Sequence, residues 1–320
     1  MGAMKALNEM GIRHGNAICY SGYREGQSPR DLAYPSYQQV VEDLKLLHRH
    51  WDYLRIYDCS RHADLVLRAI SEEGLDLKVM LGADVGAEVN NPGCPWGADY
   101  PEHELQGNRR ANDAQIERLI ELANEYQDIV FSVSVGNEAT VDWTDHMVPT
   151  ERLVSFVRKI RPRIQQPITF CENYVPWTTK LGPLAEELDF ISVHTYPVWE
   201  YQTIESALEY TKQNYQSVAD HYPEKLVVVT EAGWTTQSNG RGIDDWNASE
   251  DFQSAYYSQL VDWSRQGKIL TFVFEAFDEP WKGSPDPLEP EKHWGLFTVD
   301  RKPKRVMQGL YPVSQGMESR

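Results

Sequence analysis

The amino-acid sequence predicts one closed α/β barrel, a single (β/α)8 TIM barrel with decorated βα loops. Three observations predict it. Eight short runs rich in β-branched or aromatic residues recur along the chain: Ala17–Tyr20, Tyr53–Tyr57, Leu77–Leu81, Ile129–Val135, Pro167–Phe170, Phe190–His194, Leu226–Thr230 and Ile269–Phe274. Longer segments of helical period separate them, which is the signature of βα units. The Gly-x-Gly-x-x-Gly turn common in open doubly wound sheets is absent.

The runs are nearly continuous in apolar residues, as strands covered on both faces must be. Among the intervening segments, Tyr37–His48 places Val40, Val41, Leu44 and Leu47 on one stripe. Ile116–Ala123 and Leu153–Ile160 have the same period, and Phe252–Trp263 follows the capping sequence Asn247-Ala248-Ser249-Glu250. A last helix is expected near Arg305–Leu310.

The 320 residues suit one barrel with long loops, and no low-complexity linker divides them. The expected division is an N-terminal extension or cloning remnant at 1–14, one catalytic domain at 15–312 and a tail at 313–320. The net charge of −17, from 31 basic and 48 acidic side chains, disfavours nucleic acid and anionic membrane surfaces as partners. No stretch is long and apolar enough for a membrane span, and a monomer is expected. The four cysteines, Cys19, Cys59, Cys94 and Cys171, are expected free or joined in one loop-pinning bridge. No cofactor is expected, and no metal, because no metal-hydrolase histidine motif occurs.

In such a barrel chemistry sits where the strands end. The residues there are Tyr57-Asp58 after the second run, Gly136-Asn137-Glu138 after the fourth and Glu172-Asn173-Tyr174 after the fifth. The sixth is followed by Tyr196, the seventh by Glu231-Ala232-Gly233-Trp234, and the eighth by Glu275 to Glu279. Glu138 and Glu231 follow apolar strands directly, which puts two carboxyl groups at the mouth of the barrel. Glycosidic cleavage needs such a pair, one carboxylic acid to protonate the departing oxygen and one carboxylate to attack or to activate water. His194 reads as a hydrogen-bonded structural histidine. Of ten tryptophans, Trp96, Trp143, Trp177, Trp199, Trp234, Trp246, Trp281 and Trp294 follow strands, where flat rings could stack on sugar faces.

The Asn-Glu pair on the fourth strand, Tyr196 after the sixth and Glu231 on the seventh resemble the large clan of retaining barrel glycosidases. Within that clan the chain is similar to glycoside hydrolase family 17, the β-1,3-glucanases and their relatives. The segments that carry the likeness are Val135-Gly136-Asn137-Glu138, Val229-Thr230-Glu231-Ala232-Gly233-Trp234, Phe277-Asp278-Glu279-Pro280-Trp281-Lys282 and Glu291-Lys292-His293-Trp294-Gly295-Leu296-Phe297. They lie in register from Tyr20 to Phe297, and the strand-8 segment resembles the bacterial branch. The resemblance implies that Glu138 is the acid/base and Glu231 the nucleophile. It implies that Asn137 bonds the sugar 2-hydroxyl, that Tyr196 orients Glu231, and that Glu279 and Lys282 form an ionic network near the nucleophile. Tyr57 and Asp58 would touch sugar, as would Tyr20, Asn173, Tyr174, Trp234 and Trp281. The implied reaction is retaining, endo-acting cleavage of β-1,3-glucan, with transfer to another sugar by the same glutamates as the alternative. A polymeric substrate implies a periplasmic, outer-surface or secreted protein. A non-catalytic glycan-binding barrel would lack one of the two glutamates, and a metal-dependent lyase would require a ligand cluster.

Overall fold

The eight expected runs form eight parallel strands in one closed ring, ordered β1 to β8 without a crossover. The structure is a computed structural model and describes residue 8 and residues 10–312. The expected tail at 313–320 and much of the expected extension at 1–14 lie outside the described residues.

The strands are β1 (Ala17–Cys19), β2 (Tyr53–Ile56), β3 (Lys78–Gly82), β4 (Val130–Asn137), β5 (Ile168–Asn173), β6 (Phe190–His194), β7 (Leu226–Ala232) and β8 (Thr271–Val273). The helices are α1 (Tyr37–Leu47), α2 (Arg61–Glu73), α3 (Glu102–Glu125), α4 (Thr150–Ile160), α5 (Tyr174–Thr179), α6 (Gly182–Glu187), α7 (Ile204–His221) and α8 (Glu250–Gly267). Each expected strand is present, with ends shifted by a few residues. β4, β5 and β7 run further than their apolar signal because polar residues at their ends still pair: Asn137 with Cys171, Asn173 with His194, and Glu231 with His194.

Helix starts follow local chemistry. Ser36 caps α1 by accepting from the Gln39 amide while the Gln39 side chain returns to the Ser36 amide, a reciprocal capping box. Ser249 caps α8 by accepting from the Phe252 amide. α3 begins 14 residues before the expected Ile116. Its first half carries no apolar stripe because it docks through polar groups: Asn112 bonds both backbone groups of Gly86 and the Glu88 carboxylate. The expected helix at Arg305–Leu310 is only a 3-10 turn, Arg305–Met307. Buried Lys304 is fixed just before it by Asp278, Thr236 and the His293 carbonyl, and Gly309 and Pro312 discourage continuation.

The ladder slips between Val79 and Met80 of β3, and again at three strand ends: between Ser134 and Asn137 of β4, between Val193 and His194 of β6, and between Val229 and Ala232 of β7. Such irregularities re-aim side chains, and the last three fall on the strand ends that bear Glu138, His194 and Glu231. All four cysteines are free thiols, which resolves the open question of a bridge.

Two glycines show opposite dependence on space. A Cβ on Gly233 would meet the Phe274 carbonyl oxygen at 2.0 Å, a backbone atom that cannot step aside. Gly107, inside α3, would meet nothing within 4 Å. Gly233→Ala is therefore expected to lose roughly 2 kcal/mol or more, as overpacked sites do. Gly107→Ala is expected to gain about 0.5–1 kcal/mol from the stiffer unfolded chain and better helix propensity. Urea midpoints at constant m-value measure both, and opposite signs are expected.

Candidate active site

β4 and β7 are three places apart in the eight-stranded ring, and their carboxyl-terminal ends aim Glu138 and Glu231 at a common point. A carboxylate oxygen of each, together with a ring nitrogen of His194 on β6, all lie within 4.8 Å of one another.

The two glutamates are held differently. Glu231 is buried and densely bonded. The Tyr196 hydroxyl donates to its Oε2 at 2.5 Å, the Tyr57 hydroxyl donates to its Oε1 at 2.9 Å, and Arg55 is paired with that same oxygen. The other arm of the guanidinium donates from Nη2 to Asn137 Oδ1 at 2.5 Å, so one buried Arg55 holds both Glu231 and Asn137. Because the amide oxygen of Asn137 is engaged there, its NH2 is left to face the cleft. Burial pushes the Glu231 carboxyl up. The positive charges of His194 and Arg55, with the hydrogen bonds from Tyr196 and Arg55, outweigh it and hold the group well below the usual carboxylate range.

Glu138 is more open, its side chain 28% exposed against 6% for Glu231. Its Oε1 lies 2.8 Å from His194 Nδ1. Its backbone has φ +44°, a left-handed conformation rare for a residue with a Cβ. The surroundings impose it. The Glu138 amide donates to the Cys171 carbonyl at 2.9 Å, and His146 Nε2 lies 2.9 Å from the Asn137 carbonyl.

His194 is more than a structural histidine, since it lies between the two carboxylates. Burial lowers its imidazole, but the charge of Glu231, a hydrogen bond with Cys171 and the contact with Glu138 raise it to about 10. It is then a cation at working pH. Glu138, His194 and Glu231 are also the one trio among the described residues whose donor atoms could hold a metal ion. Within that trio Arg55 already places positive charge on Glu231.

The remaining expected residues divide into two sets. Tyr57 and Tyr196 meet Glu231, Asp58 is half-buried at the rim with its carboxylate accepting from Ser60, and Trp281 is half-buried with its Nε1–H on Glu279 at 3.0 Å. Lys282 pairs with Glu279 and bonds both oxygens of Glu275 at 3.2 Å, so the ionic network exists. Two expected sugar contacts are corrected. Trp234 is fully buried, with its Nε1–H on the Asn247 carbonyl. Tyr20 is fully buried too, its hydroxyl donating to Asp43. Asn173 caps α5 with its Oδ1, which accepts from the Val175 amide and leaves its NH2 to donate elsewhere. Glu279 is buried beneath Trp281 and Lys282 and reaches the cleft only through them. Tyr174 is half-buried and shares its hydroxyl with Tyr210. Of the strand-end tryptophans, Trp177 and Trp294 are also core, whereas Trp96, Trp143 and Trp246 are exposed.

Sequence reasoning missed Arg55, although Leu54-Arg55-Ile56 carries the signal: one charge inside an apolar strand, which must find a buried partner. Glu291 was missed as well. Burial raises its carboxyl and Lys282 opposes that, but the nearby charges of Glu138 and Glu231 help bring it to about 7.

A closed barrel whose rim holds an ionised buried glutamate against a second, half-open one is the site of a glycoside hydrolase. The family profile described as the BtgE/BtgC glycoside hydrolase domain matches residues 17–295, and the chain belongs to that family. The likeness to glycoside hydrolase family 17 holds. A "Glucan 1,3-beta-glucosidase" of Arthroderma benhamiae is 25% identical over 280 residues, 82% of each chain. A "Probable glucan endo-1,3-beta-glucosidase btgC" of Aspergillus flavus is 28% identical over 307 residues, 87% of this chain. The present chain spans only 41% of that longer relative. Among solved structures, an endo-laminarinase from Formosa Hel1_33_131 superposes with a TM-score of 0.79 at 28% identity, covering 93% of this chain and 86% of that one. Among the described residues no helix is long and apolar enough to cross a membrane.

The depressed Glu231 carboxyl makes a prediction with a definite sign. Ionised Glu231 is expected to govern the acidic limb of kcat/KM, which should lie below pH ~4, the ordinary carboxylate value. Arg55→Met removes one of the charges that hold the group down, so the limb should move to higher pH while kcat falls. A pH–rate profile of both proteins checks this; an unmoved limb would assign it to another group.

Proposed function

We propose that the chain is a retaining, endo-acting hydrolase of β-1,3-glucan, with Glu231 as nucleophile and Glu138 as acid/base. One observation carries the mechanism: carboxylate oxygens of Glu138 and Glu231 lie within 4.8 Å of each other. Retaining enzymes keep their carboxyl groups ~5–5.5 Å apart, and inverting enzymes need ~6.5–9.5 Å to admit a water between acid and base. The β-1,3 linkage is supported by the names of the relatives and of the Formosa laminarinase.

In the first step ionised Glu231 attacks the anomeric carbon as Glu138 gives its proton to the departing glycosidic oxygen. A glycosyl ester on Glu231 results. In the second step Glu138, now a carboxylate, takes a proton from the incoming water, which displaces Glu231 and restores both groups. Asn137 would donate its free amide hydrogens to the 2-hydroxyl of the attacked sugar. Tyr57 and Tyr196 hold the nucleophile, Asp58 and Trp281 line the sugar path, and Lys282 steadies Trp281 through Glu279. Both glutamates and their supports come from one chain, which supports action as a monomer. A polymeric glucan supports a periplasmic, outer-surface or secreted location.

Glu231→Gln is expected to lower turnover of laminarin by several orders of magnitude with the fold intact. Glu138→Gln is expected to impair laminarin far more than an aryl glycoside whose phenolate leaves without a proton. Laminarin should exceed cellulose and mannan by at least about tenfold in kcat/KM, roughly 1.4 kcal/mol of transition-state binding. Chromatography of products tests the pathway: shorter chains support hydrolysis, and chains longer than the substrate would assign the enzyme to transfer.

A further inference from the structure

Glu172 stands outside the reactive pair and is fully buried on β5, on the far side of that strand from the Cys171 thiol, which faces Arg55 and His194. Its Oε2 accepts the Thr140 amide at 2.9 Å and the Thr140 hydroxyl at 2.7 Å, and its Oε1 accepts the Asn173 amide at 2.7 Å. Thr140 is itself buried and lies two residues beyond Glu138. A buried carboxylate is costly unless its oxygens are engaged, and here all the bonding goes to the backbone that leaves β4 and to the next residue on β5.

That backbone needs holding. Glu138 sits at φ +44°, which an L-residue keeps only where its surroundings over-determine it. On the entry side of the turn, the Glu138 amide is tied to Cys171 and the Asn137 carbonyl to His146. On the exit side, the Ala139 carbonyl accepts the Val148 amide, and Glu172 accepts two bonds from Thr140. Glu172 also senses the charge of Glu138: burial first, then that negative charge, brings the Glu172 carboxyl up to about 7.

We propose that Glu172 is a positioning residue for the acid/base, clamping the strained turn through Thr140 so that the Glu138 carboxyl meets the glycosidic oxygen. The inference rests on the assignment of Glu138 as acid/base made above. Glu172 touches no substrate and has no part in bond making. It fixes where a proton is given in the first step and taken in the second.

The test compares Glu172→Ala, Glu172→Gln and Thr140→Val with wild type and with Glu138→Ala, on laminarin and on a dinitrophenyl β-laminarioside, with and without sodium azide. Azide attacks the anomeric carbon of the glycosyl-enzyme and releases the Glu231 carboxylate, giving a β-glycosyl azide with no need of a general base. Glu172→Ala removes every acceptor, Glu172→Gln keeps one for the Thr140 amide, and Thr140→Val removes only the hydroxyl while preserving shape. The expected result is a loss of kcat on laminarin of roughly 10–100-fold for Glu172→Ala, the scale of a misplaced catalytic group. The losses should be smaller for Glu172→Gln and Thr140→Val, with KM changed less than about twofold. Turnover of the aryl substrate should rise with azide in all three, with glycosyl azide detected, as in Glu138→Ala. If Glu172→Ala does not fold, the other two variants decide by the same signature. Equal losses on both substrates with no azide response, while Glu138→Ala responds, would make Glu172 merely structural and overturn the proposal. If Glu138→Ala itself showed no azide response, the acid/base assignment would fail, and this inference with it.

Discussion

The site depends on one buried cation. Arg55 enters the barrel from β2 with its side chain 3% exposed and divides its fork between Glu231 and Asn137. Desolvating a guanidinium costs several kcal/mol, and only close partners offset that cost. The partners here are the groups the proposed chemistry needs: one arm fixes Glu231, the proposed nucleophile, and the other fixes the amide beside Glu138, the proposed acid/base. Arg55 also lies over the Tyr57 ring, 4.3 Å from its centroid, and donates to the Tyr57 hydroxyl, which in turn donates to Glu231. A lysine could not replace it, because a single ammonium cannot present two rigid arms in one plane.

Around that cation the barrel mouth concentrates acid. Glu138, Glu231, Glu275, Glu279 and Glu291 converge there, against the cations Arg55, His194 and Lys282. Five carboxyl groups and three cations cannot all be ionised in a desolvated space without strong repulsion. The site resolves this by sorting protons. Glu231 is held ionised, whereas burial and the charge of Glu279 keep Glu275 protonated well above the usual range despite Lys282. Burial works against the Lys282 charge, but the neighbouring Glu279 carboxylate holds it, and its ammonium lies 4.6 Å from the centroid of the Phe274 ring, which packs perpendicular to Tyr196. The ionic network behind the nucleophile is therefore also the wall that supports the tyrosine bonded to it.

Much of this was legible in the sequence, for a physical reason. Parallel strands buried on both faces must be apolar throughout, so their runs stand out, and a carboxylate that interrupts such a run is conspicuous. Glu138 and Glu231 stood out in this way. The same logic applied to Leu54-Arg55-Ile56 would have found Arg55, but a strand-centre charge is easily read as an exception rather than as half of a pair. Trp234 was misplaced because chain position after a strand tells how far a residue lies along the barrel and not which way it faces. It directly follows Gly233, pressed against the Phe274 backbone, and the ring turns into the core toward Tyr256. The polar first half of α3 was hidden because it docks by hydrogen bonds, which leave no apolar period. Glu172 was visible as a strand-end carboxylate, but its proposed role was not, since that rests on two bonds to a residue 32 positions earlier.

The two glutamates proposed to react are identical in chemistry, so their division of labour must come from surroundings. A nucleophile has to be ionised and aimed before substrate arrives, which favours burial among fixed donors, and Glu231 has Arg55, Tyr57 and Tyr196 on its two oxygens. An acid/base must exchange a proton twice in each cycle, with a sugar oxygen and then with water, so it needs access and few competing bonds. Glu138 has that access and one imidazole contact, and its aim is set by a strained backbone instead of by side-chain donors. His194 links the two through Nδ1, 2.8 Å from Glu138 and 3.4 Å from Glu231. In the proposed mechanism Glu231 becomes a neutral ester, the imidazolium then loses its nearest strong acceptor on that side, and its attraction for Glu138 becomes the main electrostatic interaction. That change comes at the step when Glu138 has given up its proton and carries a negative charge. The shared histidine thus offsets charge first on the nucleophile and then on the base, without moving.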